Sequence, residues 1–524
     1  MPTDIFEKRW TEFTSGETGT TVIYATTIGV DGSIYVAGYT MSKSLDGKDN
    51  ADQVGTTISG VTTYTIDGFL AKYSAEGSKE WTRLIGNDGQ DIISAMTIGL
   101  DGSIYVAGNT KSTTLDLKSN ADATGNTSDV FLAKYTTNGE KEWTKLMGNT
   151  GTEEIGAITI GLDGSIYVAG STDSSTLDGQ SNTAVSNNGF LAKYSADGTK
   201  LWTILIGNTG DERILGMTTG LDGSIYVTGY TMSTSLDSQT NMFLAKYTTG
   251  GVKIYIKLIG YTMPTIGLAM TVGLDGSIYI GGIVLNSGFT SDKEFLNESN
   301  DGFVAKYSVD GEEQWINVIG GTATDFIWAI TAGLDGSIYV GGVTQSTDLD
   351  GLTNIYTTGE EVNGFLAKYS ADGTKVGTKL TSDTSDDIGN NAVRSMATGI
   401  DGSIYVGGMR ILSTQTYGDG FLAKYSSTSS STTSFRFRFP SKMEFSTKEA
   451  RHFRAYESGR ISNEPASIYW RISPKLPEGL KFNTKNGKIN GTPVTVFGER
   501  SFTVTAYSSV YTTDRHRITL RCVE

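Results

Sequence analysis

Four acidic side chains recur at one position of an internal repeat, ten residues before a phrase that reads Asp-Gly-Ser-Ile-Tyr: Asp91, Glu153, Glu212 and Asp325. If the segments that carry them converge on a central channel, the channel mouth is negative and attracts a cation or a cationic ligand. Two such carboxyl groups facing each other would also supply the acid and the base of a glycoside-cleaving site. The alternative interpretation is that they are solvated turn carboxylates in an acidic protein.

A second set of oxygen-bearing side chains follows the pattern Leu-Asp-x-x-x-Asn in five of the longer connecting segments. The pairs are Asp46 with Asn50, Asp116 with Asn120, Asp178 with Asn182, Asp237 with Asn241, and Asp350 with Asn354. Carboxylate and amide oxygens, joined by nearby carbonyls, are ligands for Ca²⁺, which is the one cofactor that the sequence indicates. The competing interpretation is that Asp and Asn brace a turn through hydrogen bonds to the backbone.

Composition excludes several kinds of chemistry. Residues 1–434 contain no His and no Cys, which removes Ser-His-Asp and Cys-His catalysis, His-ligated zinc and haem from most of the chain. The same residues carry a net charge of −23, which argues against a nucleic-acid partner, whereas residues 435–524 carry +8. The sole cysteine, Cys522, allows no intrachain disulfide.

The elements that must position these side chains are set by two alternating phrases, each present seven times. Asp-Gly-Ser-Ile-Tyr first appears at Asp31 and last at Asp401, and Phe-(Leu/Val)-Ala-Lys-Tyr runs from Phe69 to Phe421. Each unit contains four short runs rich in β-branched and aromatic residues, separated by Asp-Gly and similar turns. Four strands per unit and seven units predict an all-β fold, a seven-bladed β-propeller over residues 1–425, with an open β-solenoid as the alternative.

The two ends of this region predict closure of the ring. Lys8–Phe13 reads like a fourth segment of the repeat, whereas the last repeat stops after its third segment at Tyr425. We therefore expect the N-terminal strand to pair with the last repeat, which would leave no open sheet edge there.

Tryptophans mark the fourth segment at one repeat position, as in Trp81 and Trp143. We predict that they pack between blades rather than bind sugar. Trp328 lies in a first segment instead, and we predict that it is a core residue too.

The amino-acid sequence of the repeat resembles that of the bacterial seven-bladed propeller repeat family known as SBBP. The resemblance rests on Asp101–Thr110, Asp67–Lys72 and Leu84–Asn87 and covers residues 1–425, with Asp-Gly-Ser where the family more often has a Gly-Asn pair. It implies the propeller fold and says little about function, because propellers host many unrelated activities.

A Ser/Thr linker at residues 426–434 precedes a second, smaller domain at residues 435–524. Alternating stretches such as Ser501–Tyr507 predict half-exposed antiparallel strands. Leu476–Phe482 and Gly487–Pro493 resemble the signature of the Putative Ig (cadherin-like) family of bacterial modules. The resemblance implies a small Ig-like β-sandwich that acts as a spacer or a weak adhesive unit.

The connections between second and third strands, and between one unit and the next, differ from repeat to repeat, whereas the opposite turns recur almost verbatim. Because variable loops on a rigid scaffold often carry function, we expect a protein or glycan ligand on this loop face. We interpret the chain as a non-enzymatic binding or adhesion protein. The alternatives are a carbohydrate-active hydrolase or lyase, a phage virion protein and an intracellular scaffold.

The sequence also bears on targeting signals and membrane spans. Residues 1–7 lack the basic region and apolar run of a signal peptide, and no stretch approaches the roughly 20 apolar residues of a membrane span. We expect an extracellular or cell-surface protein exported without a leader, or a virion component, with a cytoplasmic location left open. The sequence also leaves the oligomeric state open.

Overall fold

The structure is a computed structural model, and it describes residues 6–16, 19–51, 56–58, 61–122, 124–182, 187–207, 210–232, 241–259, 264–285, 299–354, 362–382, 389–412, 417–427, 437–438, 442–448, 451–453, 456–457, 468–473, 476–483, 488–508 and 514–523. Within these ranges every regular element is a β-strand, which confirms the all-β prediction. No helix able to cross a membrane occurs in this part of the chain.

Seven antiparallel four-stranded sheets hold the longer strands of the repeat region that the structure describes. In the first six, the strand order in the sheet is the order along the chain. The strands of sheets 1 to 6 are Thr21–Ile28, Ile34–Thr40, Asp67–Tyr73 and Lys79–Ile85; Asp91–Ile98, Ile104–Thr110, Asp129–Tyr135 and Lys141–Met147; Glu153–Ile160, Ile166–Thr172, Asn188–Tyr194 and Lys200–Ile206; Glu212–Thr219, Ile225–Thr231, Asn241–Tyr247 and Lys253–Ile259; Thr265–Val272, Ile278–Val284, Asp301–Tyr307 and Glu313–Ile319; Asp325–Ala332, Ile338–Thr344, Asn363–Tyr369 and Lys375–Leu380.

The seventh sheet takes its fourth strand from the other end of the chain. Gly389–Thr398, Ile404–Leu412 and Asp419–Ser427 are its first three strands, and Phe6–Thr14 pairs antiparallel with the third. Phe13 lies opposite Phe421 in this pairing. The expected pairing of the N-terminal strand with the last repeat is therefore present.

The two repeated phrases are explained by contacts that recur from sheet to sheet. In sheet 3, Asp163 Oδ1 accepts a hydrogen bond of 3.0 Å from the Ser165 amide and closes the first turn, where Gly164 has a φ of +80°. Lys193 Nζ donates to Asp163 Oδ2 and to the Thr249 carbonyl of sheet 4, both at 3.0 Å. In the same way Lys424 of sheet 7 donates to the Ala75 carbonyl of sheet 1 at 3.3 Å.

The core lies between successive sheets. Tyr35 and Leu70 of sheet 1, for example, share a buried apolar cluster with Ile93 and Phe131 of sheet 2. Each sheet is therefore covered on both faces by apolar neighbours, which is why its strands are apolar on both sides.

Short hairpins lie in the connections between second and third strands. Their strands are Ser44–Leu45 with Lys48–Asp49, Thr56–Ile58 with Val61–Thr63, Thr114–Leu115 with Lys118–Ser119, Thr176–Leu177 with Gln180–Ser181, and Asp348–Leu349 with Leu352–Thr353. Four of these five hairpins hold a Leu-Asp-x-x-x-Asn stretch.

The C-terminal module has its own β-sheets and core. Lys442–Ser446, Asp514–Val523, Phe497–Ser508 and Ile468–Ser473 form one sheet in that order, with the first pair parallel. Arg451–Phe453, Lys488–Gly491 and Leu480–Asn483 form a second, and Phe437–Arg438 pairs with Tyr456–Glu457. Leu480 and Ile489 of the second sheet share one buried cluster with Phe502 and Ile518 of the first. This shared core is the arrangement of a β-sandwich.

Candidate functional site

The two kinds of variable connection touch each other, so they lie on one side of the repeat region. Asn87 Nδ2, between sheets 1 and 2, donates to the Thr114 carbonyl at 2.9 Å, and the Gly89 amide donates to Ser112 Oγ at 2.9 Å. The equivalent Asn149–Thr176 contact, also 2.9 Å, recurs one sheet further on. This side is the loop face.

The four acidic residues at the common repeat position are each the first residue of a first strand, and all four are buried. Glu153 Oε1 accepts hydrogen bonds of 2.6 Å from Thr172 Oγ1 and Ser174 Oγ, and Oε2 accepts one of 3.0 Å from the Asn149 amide. The other three make similar bonds: Asp91 with Ser112, Glu212 with Thr231, and Asp325 with Ser346. Through these hydrogen bonds the buried carboxyl groups join the connection between two sheets to the connection between second and third strands. Ligand binding by the four residues stays a prediction.

A second oxygen faces several of these carboxyl groups from the third strand of the preceding sheet. Asp129 Oδ1 and Glu153 Oε2 lie 2.0 and 2.7 Å from the point that a Cβ on Gly148 would occupy. Burial raises the pKa of Asp129 and of Glu153, and their mutual repulsion adds to the shift of Glu153. Two carboxyl groups that share one site do not both ionise easily. A carboxyl group at such a contact between sheets, which we call a seam, therefore keeps its proton to a higher pH than it would in water.

The Asp residues of the Leu-Asp-x-x-x-Asn stretches bind side chains of the fourth strand. Asp46 Oδ1 accepts from Lys79 Nζ at 2.8 Å and Oδ2 accepts from Thr82 Oγ1 at 2.6 Å. We call this pair of contacts, from one Asp carboxylate to a Lys and a Thr of the fourth strand, a bracket. The same bracket joins Asp116 to Lys141 and Thr144, Asp178 to Lys200 and Thr203, and Asp350 to Lys375 and Thr378. Each of these Asp residues also has a positive φ near +50°, which Asp tolerates better than most residues.

The Asn residues of those stretches have other partners. Asn50 Nδ2 donates to the Thr65 carbonyl at 2.8 Å, and the amides of Asn120, Asn182 and Asn354 likewise donate to backbone carbonyls. Asn241 begins the third strand of sheet 4, and Asp237 lies outside the described residues. No group of three or more His, Cys, Asp or Glu side chains suited to a metal occurs in the described part of the chain. Calcium binding stays a prediction.

Sequence reasoning missed a different set of side chains, on the first strands. Each first strand skips one residue in its pairing with the second strand, which is the signature of a β-bulge. The skipped residues of sheets 1 to 7 are Tyr24, Ser94, Gly156, Leu215, Leu268, Trp328 and Arg394. First strands of successive sheets lie side by side, and those of sheets 1 and 7 are joined by a 2.8 Å hydrogen bond between Thr26 and Ser395.

Three of the bulge residues gather aromatic rings and a cation on neighbouring sheets. The Arg394 guanidinium carbon lies 4.5 Å from the centre of the Trp328 ring, and Phe326 stacks on Trp328 with centroids 5.5 Å apart. On sheet 1 the rings of Tyr24 and Tyr39 are 5.6 Å apart. Burial raises the pKa of Tyr39 to about 12, and the positive charge of Arg394 opposes that shift. We call these five residues the axial arc.

Trp328 therefore does not have the core role expected from the sequence. It is partly buried between Phe326 and Arg394, because the bulge turns it out of the regular alternation of the strand. The sequence did carry a signal. Aligned on the first strands, the bulge column reads Tyr, Ser, Gly, Leu, Leu, Trp and Arg, while neighbouring columns repeat nearly the same residue.

The first strands of sheets 3 and 4 carry a self-neutralising cluster instead. Arg213 forms an ion pair with Glu154 and lies 3.6 Å from Asp211, to which the Tyr230 hydroxyl donates at 3.4 Å. Its charge is thereby balanced by acidic neighbours.

Comparison with known proteins identifies the C-terminal module. Residues 423–522 match the family described as Putative Ig domain, which confirms the resemblance seen in the sequence of the module. The molecule is thus a propeller-like repeat protein of antiparallel β-sheets joined to an Ig-like domain.

Two curated proteins align with part of the chain. It is 29% identical over 210 residues to regulatory protein FlaEY of Caulobacter vibrioides, an alignment covering 35% of this chain and 22% of that protein. It is 22% identical over 261 residues to the uncharacterised WD repeat-containing protein L264 of Acanthamoeba polyphaga mimivirus, covering 38% of this chain and 19% of that protein. The alignments thus span about a fifth of the length of these relatives.

Similar solved structures include Kuenenia stuttgartiensis hydrazine synthase, with a TM-score of 0.44 at 12% identity over 75% of this chain and 94% of that one. Synechocystis apocarotenoid oxygenase gives a TM-score of 0.37 at 9% identity over 80% and 96% of the two chains. Likenesses at this level carry no argument about function.

Proposed function

We propose that the seven sheets are the blades of a closed seven-bladed β-propeller of the SBBP type. Contacts between sheets 7 and 1 support a ring. Besides the Thr26–Ser395 bond, the Thr21 amide donates to the Gly418 carbonyl at 2.9 Å, and Lys424 reaches the Ala75 carbonyl as its equivalents do between other sheets. Such a ring has its first strands around the axis and the loop face at one end of it.

The chain is then a non-enzymatic binding protein whose ligand, a protein or a glycan, meets the loop face around the axis. The observation that carries this proposal is the bulge column. A scaffold alone needs no aromatic and cationic arc at one place in an otherwise repetitive ring. Bulges re-aim side chains next to functional sites, and each first strand carries its bulge near its middle, as Trp328 does in Asp325–Ala332.

The burial and hydrogen bonding of the candidate catalytic carboxyl groups favour binding over catalysis. A glycoside-cleaving pair needs two carboxyl groups open to the same substrate. Asp91, Glu153 and Asp325 are instead fully buried and accept hydrogen bonds from Ser and Thr hydroxyls. The regulatory and WD-repeat descriptions of the two curated relatives also fit an interaction role better than an enzyme.

An extracellular, cell-surface or virion setting goes with this proposal. The Ig-like module beside a repeat scaffold is a common plan for spacers and weak adhesive units, and it would carry the binding face away from a surface. The net charge of −15 keeps such a protein soluble at neutral pH.

The test applies the labelled full-length chain to a panel of immobilised neutral, acidic and basic glycans and peptides, and also assays the glycans for released product. We expect retention of at least one class with no turnover. Variants Glu153→Gln and Asp325→Asn serve as controls, because they replace candidate acids without changing their size. Glycan turnover that these substitutions abolish would show that the protein is an enzyme.

A further inference from the structure

Arg394 is a cation without an anionic partner in the part of the chain that the structure describes. Its guanidinium makes no hydrogen bond or ion pair there, and its Nε atom is buried with no acceptor. The neighbouring Trp328 Nε1 is also buried with no acceptor, a property that Trp81 and Trp143 share on their fourth strands. Arg394 and Trp328 both belong to the axial arc.

Two other arginines show what a structural arginine looks like in this protein. Arg83 also lies over a tryptophan, Trp81, at 5.2 Å, but it donates to the carbonyls of Gly139, Thr82 and Asn138. Arg213 is paired with Glu154. Arg410 and Arg500 also lie over aromatic rings, but Arg410 is 4.0 Å from Asp419 and Arg500 is exposed. Arg394 differs from both, because it is a partly buried guanidinium on a ring with no carboxylate partner among the residues described.

Buried donors without acceptors cost free energy, and native proteins rarely keep them unless water, an ion or a ligand satisfies them. The guanidinium has five donors in a rigid planar fork, which matches the two oxygens of a carboxylate. Stacking on Trp328 fixes the plane of that fork before any ligand arrives, so little entropy is lost when the fork is used.

We propose that Arg394 binds a carboxylate carried on a six-membered ring, as in a sugar acid or an aromatic acid, at the axial arc. Tyr24 and Tyr39 supply ring faces for the apolar side of such a ligand and hydroxyl groups for its polar edge. The proposal rests on the proposed function, since it assigns a ligand class to the same axial opening.

The charges of the arc fit this ligand. In a ring of seven, sheets 3 and 4 lie across the axis from sheet 7, and there Arg213 neutralises Glu154 and Asp211. The carboxyl groups of Asp325, which begins the strand of Trp328, and of Asp91, which begins the first strand of sheet 2, are buried and accept hydrogen bonds from serine hydroxyls. Among the described residues, Arg394 is therefore the uncompensated charge of the arc that a carboxylate ligand would meet.

The experiment is isothermal titration calorimetry of the full-length chain with sodium galacturonate and with sodium benzoate, against neutral galactose and benzamide. We expect at least one acid to bind with a Kd on the order of 1 mM or tighter, and its neutral analogue about tenfold more weakly or not at all. Arg394→Gln should abolish binding, and Arg394→Lys should weaken it about tenfold, because lysine keeps the charge and loses the fork. The matched control Arg83→Ala, which also removes an arginine from a tryptophan, should leave binding unchanged.

Binding of galacturonate alone identifies a sugar acid, and binding of benzoate alone identifies an aromatic acid. Failure of both acids to bind, or unchanged binding by Arg394→Gln, overturns the proposal. If the panel still retains the chain while neither acid binds, the carboxylate assignment alone is wrong. If nothing on the panel retains the chain, the proposed function is wrong as well.

Discussion

The ring of Phe6 packs edge-on against the ring of Tyr339, with centroids 5.9 Å apart and planes at 69°. In other sheets the same tyrosine position packs against a tryptophan of its own fourth strand, as in Tyr35 with Trp81 at 6.1 Å. Sheet 6 has Gly377 where that tryptophan would be. The N-terminal strand thus completes sheet 7 by hydrogen bonding and fills a gap in sheet 6 with one fully buried aromatic side chain.

Replacing Phe6 with Ala should lower the free energy of unfolding by about 3 kcal/mol, because it removes a buried aromatic ring and leaves a cavity against Tyr339. Urea unfolding of the full-length chain measures this loss. Adding Gly377→Trp to the Phe6→Ala variant should restore part of it, since a tryptophan fills that place in sheets 1, 2, 3 and 5. If Phe6→Ala leaves the unfolding midpoint unchanged, Phe6 does not stabilise the contact between the N-terminal strand and sheet 6.

The seam between sheets 5 and 6 predicts a dependence of stability on pH. Burial raises the pKa of Asp301 to about 7 and that of Asp325 to about 6, and the charge of Asp325 adds to the shift of Asp301. Asp350 repels Asp325 further, whereas hydrogen bonds from Thr344, Ser346 and Gly321 oppose the rise. The folded chain therefore holds more protons than the unfolded chain between about pH 4 and pH 7, so the free energy of unfolding falls as the pH rises through that window.

Asp301→Asn should remove part of that fall, because it removes one of the two carboxyl groups whose pKa is raised. The fold should tolerate the change, since asparagine already stands at this position in sheets 3, 4 and 6. At pH 8 we expect the variant to be about 2 kcal/mol more stable than the unaltered chain, and at pH 4 to show no gain. Urea unfolding at the two pH values measures the difference. The control Asp310→Asn changes an exposed turn residue and should have the same effect at both. A pH-independent effect of Asp301→Asn would contradict the protonated seam.

The repeats predicted the strands well because the sequence pattern of each strand occurs seven times. A chance apolar run in one unit is not repeated in the others and is therefore not mistaken for a strand. They also placed Glu153 and its equivalents at a common structural position. What they did not give was the burial of Glu153, which depends on its cross-strand partner Thr172 and on Ser174 in the connection that follows that strand. Only the folded register brings those three side chains together.

The positions of the Trp328 and Phe6 side chains could not be predicted from the sequence, for related reasons. A one-residue bulge decides whether Trp328 lies in the core or in the axial arc, and alternation of apolar residues does not reveal a bulge. The role of Phe6 needs the N-terminal strand to be docked before its side chain can meet Tyr339. Both depend on tertiary structure rather than on local pattern.

The brackets between short hairpins and fourth strands can be tested at Asp116. Asp116→Ala removes the partner of Lys141 and Thr144, and we expect it to cost about 1 kcal/mol in the free energy of unfolding. Thermal unfolding with and without CaCl₂ separates the two roles considered for this residue. A bracket predicts no calcium effect on the unaltered chain, whereas a calcium-dependent rise in Tm that Asp116→Ala abolishes would establish a metal site.

The C-terminal module should fold without the repeat region. Its core contains Phe445, Ile489, Val504 and Leu520, all within residues 443–522. A fragment of residues 435–524 should therefore give a cooperative thermal transition by circular dichroism. The companion fragment 1–434 controls for damage at the cut. An unfolded module beside a folded companion would show that the two are not independent domains.

The central claim is that ligands meet the loop face around the axis. In a Cys522→Ser background, single cysteines at exposed Gln90 on the loop face or exposed Ala196 on the opposite turns accept a maleimide-linked polyethylene glycol chain. The most direct measurement is retention of the two modified proteins on the glycan and peptide panel. We predict that modification at Gln90 abolishes retention and that modification at Ala196 leaves it unchanged. Loss of retention through Ala196 alone would place binding on the opposite face and contradict the account.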